Sequence, residues 1–251
     1  MPGSVLESLA GGLIVSCQAG EGDPLHGPHF MAEMAKAAYQ GGARGIRANG
    51  AADIRAIRQA VPLPIVGIVK RHYPGSPVYI TPTLAEALEV LDAGADVAAC
   101  DATARPRPGG WTLERLVEEM RARSAVPLMA DVSSVEEGVR AARLGFDVVA
   151  TTLVGYAGDH EPLGYRPDFA LIERMVAEVT GRFGVPVIVE GHIWEPDQAR
   201  RCLELGAFAV VVGTAITRPQ LITRRFVEAM GRRRTDQGEG GGHEDSATVR
   251  R

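Results

Sequence analysis

Short apolar runs recur along the chain at nearly even intervals, each followed by a polar turn and then by a segment with apolar residues at helical spacing. The pattern predicts eight strands, over Leu13 to Gln18, Gly45 to Ala48, Ile65 to Lys70, Val97 to Asp101, Leu128 to Asp131, Val148 to Thr152, Val187 to Glu190 and Val210 to Gly213. The intervening segments predict helices over Phe30 to Gln40, Ala51 to Ala60, Leu84 to Ala93, Leu113 to Arg123, Val135 to Leu144, Phe169 to Arg182, Pro196 to Leu205 and Gln220 to Met230. Gly41, Gly94, Gly145 and Gly206 stand where helices should stop, and Thr83, Thr112 and Ser134 stand where a side-chain oxygen can cap a first turn.

The strands are continuously apolar rather than alternating, which implies burial on both faces, as in an all-parallel sheet covered by helices. An open doubly wound sheet shows the same alternation of elements. Eight βα units of about 30 residues, with no G-x-G-x-x-G after the first strand, favour a closed TIM (β/α)8 barrel as a single domain over residues 1–230. From Gly231 onward almost no apolar residue occurs, so residues 231–251 are expected to be a disordered tail. The segment VGYAGDHEPLGYRP after the sixth strand is long for a βα loop and reads either as a cover for a substrate or as ordinary surface.

Composition narrows the function classes. With 45% hydrophobic and 23% charged residues the chain has the makings of a large core, and a net charge of −4 gives no basic stripe for a nucleic acid. No segment is long enough to span a bilayer and the N-terminus lacks the features of a signal peptide, so a cytoplasmic protein with a small-molecule partner is expected. Cys17, Cys100 and Cys202 lie far apart inside apolar runs and read as reduced core thiols, with no metal site implied. Of the 27 Lys and Arg residues only Lys36 and Lys70 are lysine. Lys36 falls on a polar helix face, whereas Lys70 closes the apolar run PIVGIVK, where a titratable amine is worth more than a bare positive charge.

In a barrel the polar residues that end the strands converge on one mouth. Gln18, Arg47, Lys70, Asp101, Asp131, Thr152 and Glu190 form that set, with Gly213 and Arg218 in the last loop. Lys70 among apolar neighbours loses solvation, which lowers its pKa toward that of a general base. Glu190 ends PVIVEG and can donate a proton, polarise a substrate or set the charge state of Lys70. Strands three and seven lie on opposite sides of such a barrel, a geometry that suits inversion of one carbon. Gly191, Gly213 and Thr214 occupy the loops after strands seven and eight, where barrels hold phosphate on backbone N–H groups, and Arg218 can add a charged contact.

The phrases VSCQA, GIRANG, IVGIVKR, TPTLAE, CDATARPRPGG, MADVS, LGFDVVATTLVGY, VEGHI and VVGTAITRP, in order from Val15 to Val227, resemble the N-acetylmannosamine-6-phosphate 2-epimerases. The resemblance implies a TIM barrel that interconverts N-acetylmannosamine 6-phosphate and N-acetylglucosamine 6-phosphate in sialic acid salvage, needs no cofactor or metal, and forms a homodimer. By motif it implies Lys70 as the catalytic lysine, Glu190 as the active-site glutamate, substrate contacts from Gln18, Arg47, Asp131 and Arg218, and phosphate contacts around Gly191, Gly213 and Thr214. Thr152, at the end of the sixth strand, joins the expected substrate contacts by position. His192 departs from the family, which commonly has asparagine there.

The reaction expected is removal of the C2 proton, acidified by the C1 carbonyl of the open-chain sugar, and return of a proton to the other face. Whether Lys70 alone or Lys70 with Glu190 does this is open at the level of sequence. Two other functions use the same residues: a Schiff-base aldolase with Lys70 as nucleophile, and a non-catalytic sensor of amino-sugar phosphates.

Overall fold

The computed structural model describes residues 2–157 and 164–231. Eight parallel strands follow one another around a closed barrel: β1 (Leu13–Cys17), β2 (Gly45–Asn49), β3 (Ile65–Ile68), β4 (Val97–Asp101), β5 (Leu128–Asp131), β6 (Val148–Ala150), β7 (Val187–Glu190) and β8 (Ala209–Val212). Closure comes from β8 pairing with β1, Val210 opposite Leu13 and Val212 opposite Val15. The expected TIM barrel is the fold observed. Around it lie α1 (Pro2–Leu9), α2 (Pro28–Gln40), α3 (Ala51–Ala60), α4 (Leu84–Asp92), α5 (Leu113–Arg123), α6 (Val135–Arg143), α7 (Phe169–Met175), α8 (Gly181–Phe183), α9 (Pro196–Glu204), α10 (Thr214–Thr217) and α11 (Pro219–Gly231). Thr83, Thr112 and Ser134 each cap the helix that follows through the side-chain oxygen, and Glu86 returns a carboxylate oxygen to the Thr83 N–H.

Strand parity explains how so apolar a barrel presents polar groups. Ile14, Val66, Ile68, Val97, Ala99, Met129, Val148, Ala150, Ile188, Ala209 and Val211 form one buried cluster inside the barrel. Two residues further on, on the same face of each strand, stand Ser16 after Ile14, Lys70 after Ile68, Thr152 after Ala150, Glu190 after Ile188 and Gly213 after Val211. The interior is therefore a dry plug below and a polar floor above. The other parity, with Ile46, Ile65, Leu128 and Val149, packs against helices through Ile54, Ile57, Leu116 and Met120. Gly67 shows how close that packing is: a Cβ there would lie 2.7 Å from Ala95 Cβ and 2.8 Å from Val90 Cγ1.

The structure corrects several boundaries. Gln18, Lys70, Thr152 and Gly213 lie just beyond the strands that were expected to contain them. After Ile68 the chain leaves the β4 ladder and the following loop folds back, with Lys70 paired antiparallel to Ile80, Arg71 N donating to Tyr79 O at 2.9 Å and Thr81 N to Val69 O at 2.7 Å. The helix expected over Phe169 to Arg182 is interrupted by a π-helical turn at Val176–Thr180. Two helices carry no clear signal in the sequence. α1 is short, yet it places Leu9 in the cluster inside the barrel and closes its lower end. α10 is a single turn before α11. Gly231, expected to begin the tail, is the last residue of α11. The rest of the expected tail, 232–251, and 158–163 of the long loop after β6 lie outside the described residues.

Cys17, Cys100 and Cys202 are buried free thiols, and burial pushes them up to about 12, 12 and 11, which makes them poor nucleophiles. Among the described residues no helix is long and apolar enough to cross a membrane.

Candidate active site

A cavity of about 300 Å³ opens at the C-terminal end of the strands. Gln18, Arg47, Lys70, Thr152, Glu190, Gly191, Gly213, Thr214 and Arg218 all line it, brought there from the ends of six strands, β1, β2, β3, β6, β7 and β8. Asp131 does not. It is fully buried beneath the floor, where Arg47 Nη1 and Nη2 donate to its two oxygens at 3.0 and 2.6 Å. The direct substrate contact expected of Asp131 does not fit this placement, because Asp131 meets the cavity through Arg47. Asp101, another strand-end carboxylate, is also off the wall, taking Thr103 N, Thr103 Oγ1 and Arg105 Nη2 in its own loop.

Arg47 is the hub. Its side chain is 1% exposed, and Nη1 also donates to Glu190 Oε2 at 2.8 Å. Thr152 Oγ1 sits between the two acids, 2.6 Å from Asp131 Oδ1 and 3.2 Å from Glu190 Oε2. Burial works against the charge on Arg47, but Asp131 and Glu190 outweigh it and hold the guanidinium above its ordinary range. Glu190 is raised above the usual carboxylate range, first by burial and then by the charge of Asp131, against the pull of Arg47 and Lys70. One guanidinium faces two carboxylates and gives Asp131 two of its nitrogens and Glu190 one.

Lys70 has no carboxylate within 4.0 Å among the described residues, and its amine is held below the ordinary lysine range. Desolvation is the main cause; Arg47 adds to it, Glu190 and Asp131 oppose it, and Arg218 again lowers it. Lys70 lines the cavity and is exposed to solvent at its mouth. Its backbone is fixed by Asn49, whose Oδ1 accepts the Lys70 N–H at 2.7 Å.

The last two loops supply the other end of the site. Gly191 has φ +105°, a conformation for glycine, and a Cβ there would meet the Tyr156 ring at 3.5 Å. Gly213 precedes the first turn of α10, whose leading N–H groups have no acceptor within the helix. Thr217 Oγ1 donates to Ser16 O at 2.9 Å and ties that turn to β1. Arg218 donates from Nη2 to Asp23 Oδ2 at 2.7 Å, while Gln220 Nε2 holds the other oxygen at 3.0 Å.

Sequence reasoning did not single out Asp23, Asn49, Tyr79 or Tyr156. Tyr79 reaches the wall only because the loop after β3 folds back, and Tyr156 does so by stacking on His192, ring centroids 4.5 Å apart. Asp23 acts across 195 residues of chain, so no local spacing could reveal it.

Among the described residues five buried side-chain atoms have no hydrogen-bond partner: Gln18 Oε1, Arg47 Nε, Arg107 Nη2, His192 Nε2 and Arg218 Nε. All but Arg107 belong to residues that line the cavity. Buried polar atoms are nearly always paired, so this concentration of two donors and two acceptors describes the complement of a polar ligand. Among the described residues no three His, Cys, Asp or Glu side chains gather as a metal ion would need.

Comparison with known proteins gives a consistent result. The profile of a family described as "Putative N-acetylmannosamine-6-phosphate epimerase" matches residues 31–232. A protein of Caldanaerobacter subterraneus subsp. tengcongensis named "Putative N-acetylmannosamine-6-phosphate 2-epimerase" is 50% identical over 231 residues, 92% of this chain and 95% of that one. One of the same name from Enterobacter sp. is 52% identical over 229 residues, 90% of this chain and 96% of that one. The solved structure of the N-acetylmannosamine-6-phosphate 2-epimerase from Clostridium perfringens superposes with a TM-score of 0.84 at 46% identity, covering 89% of this chain and 95% of that one.

Proposed function

The chain belongs to the N-acetylmannosamine-6-phosphate epimerase family, and from that premise we propose that it converts N-acetylmannosamine 6-phosphate to N-acetylglucosamine 6-phosphate with Lys70 and Glu190 on opposite faces of C2. The observation that supports this most is the pairing of a lysine held low and a glutamate held high on strands four places apart in a ring of eight. Shifts that bring an amine and a carboxyl toward each other are what acid–base catalysis near neutral pH requires.

In the open-chain sugar the C2–H bond is acidified by the C1 aldehyde. Neutral Lys70 Nζ takes the C2 proton, the C–H electron pair moves into the C1–C2 bond, and the carbonyl π pair moves onto the C1 oxygen. Return of those electrons draws a proton from the carboxyl of Glu190 onto the other face, leaving C2 inverted, Lys70 charged and Glu190 ionised. Proton transfer through solvent at the mouth resets the pair. Arg47 supplies fixed positive charge beside the enolate oxygen, and each such positioned group is worth about 10²–10⁴-fold in rate. Gln18 and Thr152 orient the sugar, and Asp131 acts by fixing Arg47. Gly191, Gly213, Thr214 and Arg218 receive the 6-phosphate on backbone N–H groups and one guanidinium. Three buried free thiols suit a reducing compartment, and we place the reaction in the cytoplasm.

The test is incubation with N-acetylmannosamine 6-phosphate in deuterated water, with C2 followed by NMR. The product should form with deuterium at C2, and Lys70→Met should abolish both events. Absence of conversion by the intact protein rejects the activity. Covalent mass added at Lys70 on borohydride reduction with substrate would assign Schiff-base chemistry instead.

A further inference from the structure

We propose that His192 is a substrate-binding residue that selects for a hydroxyl in the middle of the sugar chain, with its Nε2 as the acceptor. His192 sits at φ +58°, in the left-handed region that few residues other than glycine and asparagine enter readily. The ring lines the cavity, stacks on Tyr156 with planes 18° apart, and brings Nδ1 to 2.9 Å from Gly164 O. A carbonyl oxygen can only accept, so Nδ1 carries the proton and donates it. That bond fixes the tautomer: in the neutral ring Nε2 is left as a bare lone pair. Nε2 is buried and has no partner among the described residues.

Two ligands could take that lone pair, a water or the substrate. Behind Gly191 lies a second, small pocket, also touched by His192, of about 10 Å³. That is at the lower limit of the roughly 10–15 Å³ a water needs, and a buried water also needs two to four polar partners. Half of that pocket's wall is Val154, Pro167, Leu171, Ile172 and Val189, while Thr151 Oγ1 is already bonded to Glu190 and Asp168 Oδ1 to Leu171 N. The large cavity remains. Resting on the orientation proposed above, C2 lies at Lys70 and Glu190 and the phosphate at Gly191, Gly213 and Thr214. His192 directly follows Gly191, so its ring meets the carbons between these ends. The groups there that can donate in the open-chain sugar are the C3, C4 and C5 hydroxyls, whereas a phosphate dianion has no proton to give to a bare nitrogen.

The experiment is a double-mutant cycle on kcat/KM with His192→Gly, which removes the ring without straining a positive φ, and His192→Asn as a second variant. Each is assayed on N-acetylmannosamine 6-phosphate and on its 3-deoxy, 4-deoxy and 5-deoxy analogues. The wild-type enzyme should lose about tenfold on one analogue, the value of one good hydrogen bond. His192→Gly should be slower on the parent sugar and show no further loss on that analogue. Inhibition by inorganic phosphate should be the same in both proteins. A variant that merely loosens the Gly164 contact would lower all substrates in proportion, and that additive result for all three analogues overturns the proposal, as does weaker phosphate inhibition. An inactive wild type would instead strike down the epimerase reading and is seen before any variant is compared.

Discussion

The guanidinium of Arg47 grips Asp131 with both terminal nitrogens and spares Glu190 a single one of them. Glu190, held by that single nitrogen and buried beside Asp131, keeps a raised affinity for protons. Removing Asp131 by Asp131→Ala leaves a guanidinium that is 1% exposed with Glu190 as its remaining carboxylate, and breaking one partner of a buried pair costs about 3–5 kcal/mol. Urea unfolding should show a loss of that order, with turnover falling further than in Asp131→Asn. A variant as stable as the parent would mean that the pair does not anchor the floor of the site.

Lys70 should be costly to stability and indispensable to activity. Its folded pKa is lowered from 10.5, so the fold disfavours the charged amine. That penalty is absent above the unfolded value, grows as pH falls, and is fully present below the folded value. Lys70→Met, which cannot be protonated, should therefore gain thermal stability relative to wild type as pH falls from about 10.5, a direction set by the same linkage. Melting curves across that range decide it, and a growing deficit in the variant on acidification contradicts the assigned shift. In the active protein kcat/KM should rise with pH through a limb below 10.5. Lys70→Arg, always charged, should bind substrate and not turn it over.

Glu190→Gln separates the two faces of the reaction. With Lys70 intact, the C2 proton of one epimer should still exchange with deuterated solvent while net inversion falls by at least about 10²-fold, the scale of a lost acid–base group. Proton NMR of recovered substrate reads the exchange and product formation reads the inversion. Equal loss of both would assign Glu190 to polarising the substrate rather than to donating at the second face.

Asp23 positions Arg218 from the loop after β1, and it is tied there by Gly20 N at 2.8 Å as well as by Arg218 and Gln220. Asp23→Ala frees the guanidinium, so KM for the sugar phosphate should rise by about three- to tenfold, the worth of one oriented hydrogen bond, with kcat nearly unchanged. A fall in kcat at constant KM would place Arg218 at the reacting carbon and not at the phosphate.

The sequence by itself determined the repeating strand and helix, their number, and the closed barrel, because apolar periodicity and helix punctuation are local and each βα unit carries its own copy. It also marked Lys70 and Glu190, since a titratable group that ends a wholly apolar strand stands out against its neighbours. What the tertiary structure alone decided is which strand-end groups meet. Arg47 reaches 84 residues along the chain to Asp131 and 143 to Glu190, and it is this contact that takes Asp131 off the cavity wall. Tyr79 joins the site only through the fold-back after Lys70, and His192 acquires its fixed tautomer from a carbonyl in another loop. Closure of the ring sets the parity and register that bring such groups together across the axis, and partners so distant in sequence leave no spacing to read.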